Sequence, residues 1–150
     1  MRRHLIIISS GLLFLISLTQ DAFLIEGNDP RAWASGWGLL LFGWIGIGYG
    51  GGHLCWLANP LVLASWVFYF LRRRSVAITC SALALVFALI FLAADEIVRS
   101  EAPEYAAITS LEVGFWLWVS SMILAVLAAL MTKRQNAPAQ QAEAGDHIPR

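Results

Sequence analysis

The sequence predicts an all-α membrane protein, a bundle of about four transmembrane helices formed by residues 1–134. Hydrophobic residues make up 59% of the 150-residue chain and charged residues only 13%, and the mean hydropathy is +0.68. Soluble domains are about 45–50% apolar and about 25% charged. Several apolar stretches approach the roughly 20 residues that a helix needs to cross a bilayer. Together these observations argue against a soluble enzyme and against a nucleic-acid-binding protein.

The first predicted helix covers residues 5–18, extended by residues 22–25. It follows two arginines and a histidine, a positive flank like that of a signal peptide. No A-x-A cleavage site comes next, because residues 19–21 are Thr-Gln-Asp. We therefore expect the segment to remain in the protein as an uncleaved transmembrane helix.

Residues 32–71 have room for two crossings, or for one crossing and another element, and the basic residues discriminate between these arrangements. Short cytoplasmic loops carry an excess of lysine and arginine. With four spans and a cytoplasmic N-terminus, seven basic residues near the span ends lie inside and two, Arg31 and Arg99, lie outside. With five spans, the better orientation places six inside and three outside. The charges favour four spans, with both termini in the cytoplasm of a bacterial inner membrane.

Under the four-span arrangement, residues 53–71 make the second crossing. Residues 37–52 then form a half-helix or re-entrant segment that enters and returns to the outer face. Eight of the twelve glycines lie between Gly36 and Gly52, and the run at residues 50–52 predicts a break, because glycine tolerates positive φ. The alternative is one tilted helix whose glycines permit close packing. Asn59-Pro60 predicts a kink in the crossing, since proline removes a backbone donor.

The last two predicted spans cover residues 75–94 and residues 106–131. Residues 75–94 follow a run of three arginines and contain no charged side chain before Asp95. The final span is closed by Lys133-Arg134. Residues 135–150 are rich in Gln, Ala and Pro and lack apolar periodicity, which predicts a disordered cytoplasmic tail.

This topology separates the charged residues by side. Eight carboxylates and two arginines fall outside, whereas the inner side carries a net charge of plus six. An acidic outer face favours metal ions, basic peptides or a basic protein surface, and a merely solvated surface is the alternative. The candidate binding residues at this face are Asp21, Asp95, Glu96, Arg99 and Glu112.

Glu112 falls inside the last predicted helix, where an ionisable side chain is costly. In one interpretation it pairs with Arg99 or Arg31 as a structural clamp. In the other, Glu112 and Asp95 share a proton or a cation, because two adjacent carboxylates are difficult to keep charged together. The sequence leaves both interpretations open.

The chain lacks the sequence motifs of common enzyme classes. It has no P-loop, no HExxH and no GxSxG. His53 and Cys55 are two residues apart and do not share a helical face, so neither a metal site nor a cofactor is expected. Cys55 and Cys80 are interpreted as packing residues. We expect a protein that is not an enzyme.

Four segments carry a resemblance to known proteins. They are Leu18-Thr19-Gln20 followed by Ala22-Phe23, WLANPL at residues 56–61, Asp95-Glu96, and GFWLW at residues 114–118. Over about residues 15–125, the chain resembles a group of short, mostly uncharacterised bacterial inner-membrane proteins. The resemblance implies a fold and a location and carries no activity.

The first expected function is non-catalytic binding at the inner membrane. One concrete form is an immunity-type protector that neutralises a membrane-active bacterial toxin through the acidic outer face. A small cation or proton channel or transporter subunit is the second hypothesis, suggested by the glycine-rich segment, Asn59-Pro60 and the outer carboxylates, and a structural accessory subunit of a membrane complex is the third. The expected partners are the lipid bilayer, a basic protein or toxin at the outer face, and a second copy of the chain.

Overall fold

A computed structural model describes residues 2–98 and residues 105–131, with the backbone alone for residues 2 and 3. Within these residues, five α-helices make up most of the fold. They are α1 (Arg2–Leu18), α2 (Gly36–Phe42), α3 (Ala58–Phe70), α4 (Arg74–Ile90) and α5 (Val113–Leu130). Three strands, β1 (Phe23–Ile25), β2 (Glu96–Val98) and β3 (Tyr105–Leu111), form an antiparallel sheet in the order β1-β3-β2. The described chain is mostly helical, which agrees with the predicted all-α class, but the three-stranded sheet was not predicted.

Helices α1, α3, α4 and α5 run alternately in opposite directions. At one end, the His4 and Tyr69 rings meet edge to face with centroids 5.9 Å apart, and Arg74 Nη2 donates to the Leu130 carbonyl oxygen at 3.2 Å. We name this the arginine end, because residues 72–74 join α3 to α4 there. At the other end, the sheet end, β1 follows α1, β2 follows α4, and β3 leads into α5.

Small residues line the contacts between these helices. α1 packs against α5, and α4 packs against both α3 and α5. The fully buried residues of α4 recur once per turn and are Ala77, Ser81, Ala84 and Ala88. Such small residues let helix backbones approach closely, which is how helices associate where lipid replaces water.

The buried Ser10 joins three of the helices through two hydrogen bonds. Its hydroxyl donates to the Ser121 carbonyl oxygen at 2.6 Å and accepts from the Trp66 indole N–H at 3.1 Å. A polar group buried without such partners would cost about 1–3 kcal/mol. The contact therefore fixes the relative positions of α1, α3 and α5.

Large apolar side chains cover the outside of the same helices. Leu12 and Leu15 on α1, Val86 on α4 and Trp116 on α5 are all about half exposed, which reverses the pattern of a soluble core. In the part of the chain that the structure describes, three stretches are long and apolar enough to cross a membrane. They are Gly51–Phe70, Arg74–Ala93 and Val113–Leu130. These features indicate a membrane protein.

Two of the predicted helix boundaries are wrong. The proposed extension of the first helix through residues 22–25 is strand β1, and the last helix begins at Val113 instead of residue 106, because β3 precedes it. Phe23 pairs with Leu111, and β3 pairs with β2 along its other edge. A short apolar run fits a strand as well as a helix, and the pairing partner decides between them.

Residues 36–57 fold into a helical hairpin, which we name the glycine hairpin. α2 continues into a 3₁₀ helix (Gly43–Tyr49), the chain turns at Gly50, and a second 3₁₀ helix (Gly51–Leu57) returns to α3. Gly50 and Gly51 have φ values of 70° and 56°, a region that residues with a side chain rarely adopt. The break predicted at this glycine run is confirmed.

The two arms of the glycine hairpin pack closely where glycines face larger side chains. The Trp56 indole N–H donates to the Leu40 carbonyl oxygen at 3.1 Å, and a methyl group on Gly43 would lie 2.7 Å from the Trp56 ring. A methyl group on Gly46 would lie 2.5 Å from His53 Nδ1. Glycines in this hairpin therefore serve close packing as well as the turn.

The glycine hairpin both starts and turns at the sheet end. Its first residue, Gly36, donates its N–H to the Gln20 carbonyl oxygen at 3.1 Å, just beyond the end of α1. At its tip, a methyl group on Gly52 would lie 2.5 Å from the Ala94 Cβ, which follows the 3₁₀ helix (Phe91–Ala93) at the end of α4. Both ends of the first arm therefore lie at the sheet end.

Candidate functional site

The sheet brings four of the predicted site carboxylates to one end of the bundle. Asp21 precedes β1, Asp95 and Glu96 stand at the start of β2, and Glu112 follows β3. β3 pairs with both other strands, and the Ile108 N–H donates to the Asp95 carbonyl oxygen at 2.9 Å. The carboxylates therefore form two pairs, one on the β1 side of the sheet and one on the β2 side.

Asp21 and Glu112 each have a side-chain partner among the described residues. Arg31 Nε lies 3.7 Å from Asp21 Oδ2, an exposed ion pair that contributes at most about 1 kcal/mol. Glu112 Oε1 accepts from the Ser110 hydroxyl at 2.8 Å. Arg31 thus pairs with Asp21 instead of Glu112. The other predicted partner, Arg99, is also a predicted site residue and lies outside the described residues.

Glu112 also differs from its predicted depth in the last helix. It occupies the residue just before α5, with an extended backbone, instead of a position inside the helix. The preceding residues belong to β3, so the Glu112 carboxylate stands at the junction of sheet and helix. The cost expected for a charge within a span therefore does not arise at this position.

Asp95 and Glu96 are exposed and line a cavity of about 480 Å³, which we name the glycine cleft. One side of the cleft is the tip of the glycine hairpin, with Tyr49, the backbone of residues 50–52 and His53. The opposite side is formed by β2 and β3, including Tyr105. The cleft therefore combines two carboxylates with three aromatic rings.

Asp95 lines a second cavity as well, of about 330 Å³, between the end of α4 and β3. Phe91 and Leu111 give this cavity an apolar lining, and Ser110 contributes a hydroxyl. Among its lining residues, Asp95 is the one ionisable group. Asp95 thus lines both cavities.

Sequence reasoning missed the two tyrosines as candidates, and it considered His53 only as a metal ligand. His53 Nε2 accepts from the Val98 backbone N–H at 3.4 Å, which ties the hairpin tip to β2. The Tyr49 and His53 ring centroids are 6.0 Å apart, and the Tyr49 and Tyr105 side chains are at least half exposed. The neighbouring glycine run was the one signal that could have identified them. It marks the tip of the hairpin, where nearby side chains contact another segment.

The site can interact with a ligand through charge, hydrogen bonds and aromatic faces. Over residues 2–98 and 105–131, no three His, Cys, Asp or Glu side chains are close enough together to hold a metal ion. Cys55 and Cys80 are free thiols and partly buried. The groups available to a ligand at the glycine cleft are therefore carboxylates, phenols and ring faces.

Two of the motifs that carried the resemblance contact each other. The Trp118 indole N–H donates to Asn59 Oδ1 at 2.9 Å, which joins WLANPL to GFWLW. Asn59 and Pro60 are the second and third residues of α3, where a 3₁₀ helix gives way to an α-helix. Proline is tolerated in a first turn, because its missing N–H needs no partner there. The kink predicted at Asn59-Pro60 stays a prediction.

The fold and the site define a mostly helical protein with helices suited to crossing a membrane and a carboxylate-rich sheet at one end. No protein-family model matches the chain, and no curated protein or solved structure matches it. Its function therefore has to be argued from its own residues.

Proposed function

We propose that this chain is a four-span protein of the bacterial inner membrane that binds a cationic partner at its sheet end, without catalysis. The observation that carries the proposal is the charge difference between the two ends. In the described chain, Arg31 is the one lysine or arginine of the sheet-end segments, and residues 72–74 are three arginines at the opposite end. The six described carboxylates all belong to sheet-end segments: Asp21, Glu26, Asp29, Asp95, Glu96 and Glu112.

The four-span topology rests on the alternating directions of α1, α3, α4 and α5. α1 has 17 residues and is apolar beyond its first turn, so at about 1.5 Å per residue it comes close to the thickness of a bilayer core. The arginine end becomes cytoplasmic by the positive-inside rule. Both termini then lie in the cytoplasm, and the sheet lies outside.

The first arm of the glycine hairpin fits a shallow re-entrant element in the outer leaflet. Residues 36–49 contain no charged side chain and are too few to cross the bilayer. Their exposed face carries Trp37, Leu41, Trp44 and Ile45 at helical spacing. Tryptophan prefers the membrane interface, so this face would lie among the lipids near the sheet end.

The positions of the carboxylates support binding over conduction. In the described chain, Asp21, Asp95, Glu96 and Glu112 stand in the sheet and its turns, outside the helix interiors. The buried polar side chains of the described helices are serines and Asn59. A row of ionisable groups along the helices would be expected of a proton or cation pathway.

Cysteine labelling in intact cells tests the topology. We expect Ser35→Cys to react with a membrane-impermeant maleimide, and Ser75→Cys to react only after permeabilisation, in a background with Cys55 and Cys80 replaced by alanine. Both serines are exposed, so both variants should react in detergent, which is the control for accessibility. Labelling of Ser75→Cys in intact cells would place the arginine end outside and remove the basis for an external acidic face.

An immunity-type protector is the concrete form of this function that we put forward. A strain lacking the gene should become sensitive to membrane-active toxins secreted by neighbouring strains, and the intact gene should restore survival. A variant with Asp21→Asn, Asp95→Asn, Glu96→Gln and Glu112→Gln should not restore it, because the external charge is reduced. The control gene carries Glu143→Gln and Asp146→Asn in the C-terminal segment. Survival that does not depend on the gene contradicts this form.

A further inference from the structure

The geometry points to the glycine cleft as the site that receives an arginine side chain of the cationic partner. This inference rests on the proposed function and goes beyond it, because it selects one cavity and one side-chain type. A guanidinium combines a positive charge with a flat surface that stacks on rings. The cleft offers counterparts to both properties.

The charge complement comes from Asp95 and Glu96. Both carboxylates are exposed, and no lysine or arginine of the described chain lines the cleft. On the sheet, Glu96 pairs with Ala107 and Val98 pairs with Tyr105, so Glu96 and Tyr105 are diagonal neighbours on one face. A carboxylate and a phenol thus stand side by side on the β2–β3 wall.

The rings of Tyr49, His53 and Tyr105 provide surfaces on which the flat guanidinium can stack. Tyr49 and His53 contact each other on the hairpin wall, and the bond from the Val98 N–H holds His53 against β2. His53 Nε2 accepts that bond, which is the role of an unprotonated ring nitrogen, so the bond favours the neutral imidazole, which does not repel a cation. Aromatic faces attract a guanidinium electrostatically even at exposed sites.

The glycine run leaves the space that such a group needs. A methyl group added to Gly50 or Gly51 would meet no atom within 4 Å, so open volume lies beside this backbone. Side chains are also disfavoured there, because both residues have positive φ. The same glycines that turn the hairpin therefore keep the cleft unfilled.

Peptide binding to the full chain in phosphatidylcholine nanodiscs tests the inference. The probes are fluorescent oligo-arginine and oligo-lysine peptides of equal length, and the readout is anisotropy. We expect the arginine peptide to bind more tightly than the lysine peptide. Asp95→Asn with Glu96→Gln should weaken arginine-peptide binding by about tenfold, the effect of losing one charge-assisted hydrogen bond.

The matched control removes the same charge from the same end but outside the cleft. Glu26→Gln with Asp29→Asn should weaken both peptides by only about twofold, because exposed charges at a distance are screened by salt. Tyr49→Leu with Tyr105→Leu should reduce the preference for arginine, because His53 alone then remains of the three rings, whereas the corresponding phenylalanine pair should keep it. Equal melting temperatures would show that these variants fold.

Three results would overturn the inference, and the first two separate it from the proposed function. If the two carboxylate pairs weaken arginine-peptide binding equally, the acidic face binds cations but the cleft is not the site. If neither peptide binds, the proposed cationic partner fails together with the cleft. Equal affinity for arginine and lysine peptides also overturns the role assigned to the rings.

Discussion

Replacing Gly114 with alanine should destabilise the protein by about 3 kcal/mol, the upper part of the usual range for overpacking. Gly114 is the second residue of α5 and donates its N–H to the Asp21 carbonyl oxygen at 3.0 Å. A methyl group there would lie 2.5 Å from that same oxygen and 3.1 Å from the Gln20 carbonyl oxygen. Both obstacles are backbone atoms, so a side-chain rotation cannot relieve the clash.

Gly36→Ala should have a similar effect for the same reason. The methyl group would lie 2.7 Å from the Leu18 Cα and 2.7 Å from the Ser17 carbonyl oxygen, at the C-terminal end of α1. Gly36 and Gly114 thus approach the same short stretch, residues 17–21, from two sides. Either substitution would push residues 17–21 away from the helix that carries the glycine, α2 for Gly36 and α5 for Gly114.

Thermal unfolding in detergent, followed with a maleimide that fluoresces on reaction with Cys55 and Cys80, measures both effects. The control is Gly11→Ala, because Gly11 lies in the middle of α1 and an added methyl group meets no atom within 4 Å. This control should be stabilised by about 0.5–1 kcal/mol through better helix propensity. If Gly114→Ala melts like the wild type, the close approach of Asp21 to α5 does not exist.

Ala84→Leu should destabilise the helical bundle by a comparable amount. Ala84 is completely buried in the row of small residues along α4, between Ser81 and Ala88. Leucine adds three carbon atoms where α4 packs against α3 and α5, so the helices have to separate. Overpacking of this kind costs about 1–3 kcal/mol and sometimes more.

Val86→Leu provides the matched control on the opposite face of α4. The Val86 side chain is 56% exposed and faces the environment proposed to be lipid. The larger side chain therefore has room, and the melting temperature should change little. Equal tolerance of leucine at residues 84 and 86 would mean that α4 is not packed on the face that the structure shows.

Sequence reasoning located the elements whose signals are local. The predicted span at residues 75–94 corresponds to the apolar stretch Arg74–Ala93, because an uninterrupted apolar run of this length is unambiguous. The break at residues 50–52 was also predictable, since consecutive glycines permit the positive φ seen at Gly50 and Gly51. Both predictions depended on neighbouring residues alone.

The candidate site was predictable only in part. The carboxylates Asp21, Asp95, Glu96 and Glu112 could be assigned to one end from the order of spans and charges. The partners of these carboxylates could not be predicted. Only the folded chain shows that Glu112 accepts a hydrogen bond from Ser110 and that Asp21 forms an ion pair with Arg31. Arg99 lies outside the described residues, so its predicted role is untested.

The sequence itself determined four properties of this protein. They are its membrane-compatible composition, its apolar runs, the glycine break and the segregation of charge along the chain. They follow from residue types over short windows, where hydropathy and backbone freedom act locally. Only the tertiary structure decided that residues 105–111 form a strand and that Tyr49, His53 and Tyr105 surround one cleft. Those features depend on backbone pairing between distant segments. The free energy of such pairing depends on both segments, so it cannot be read from either one alone.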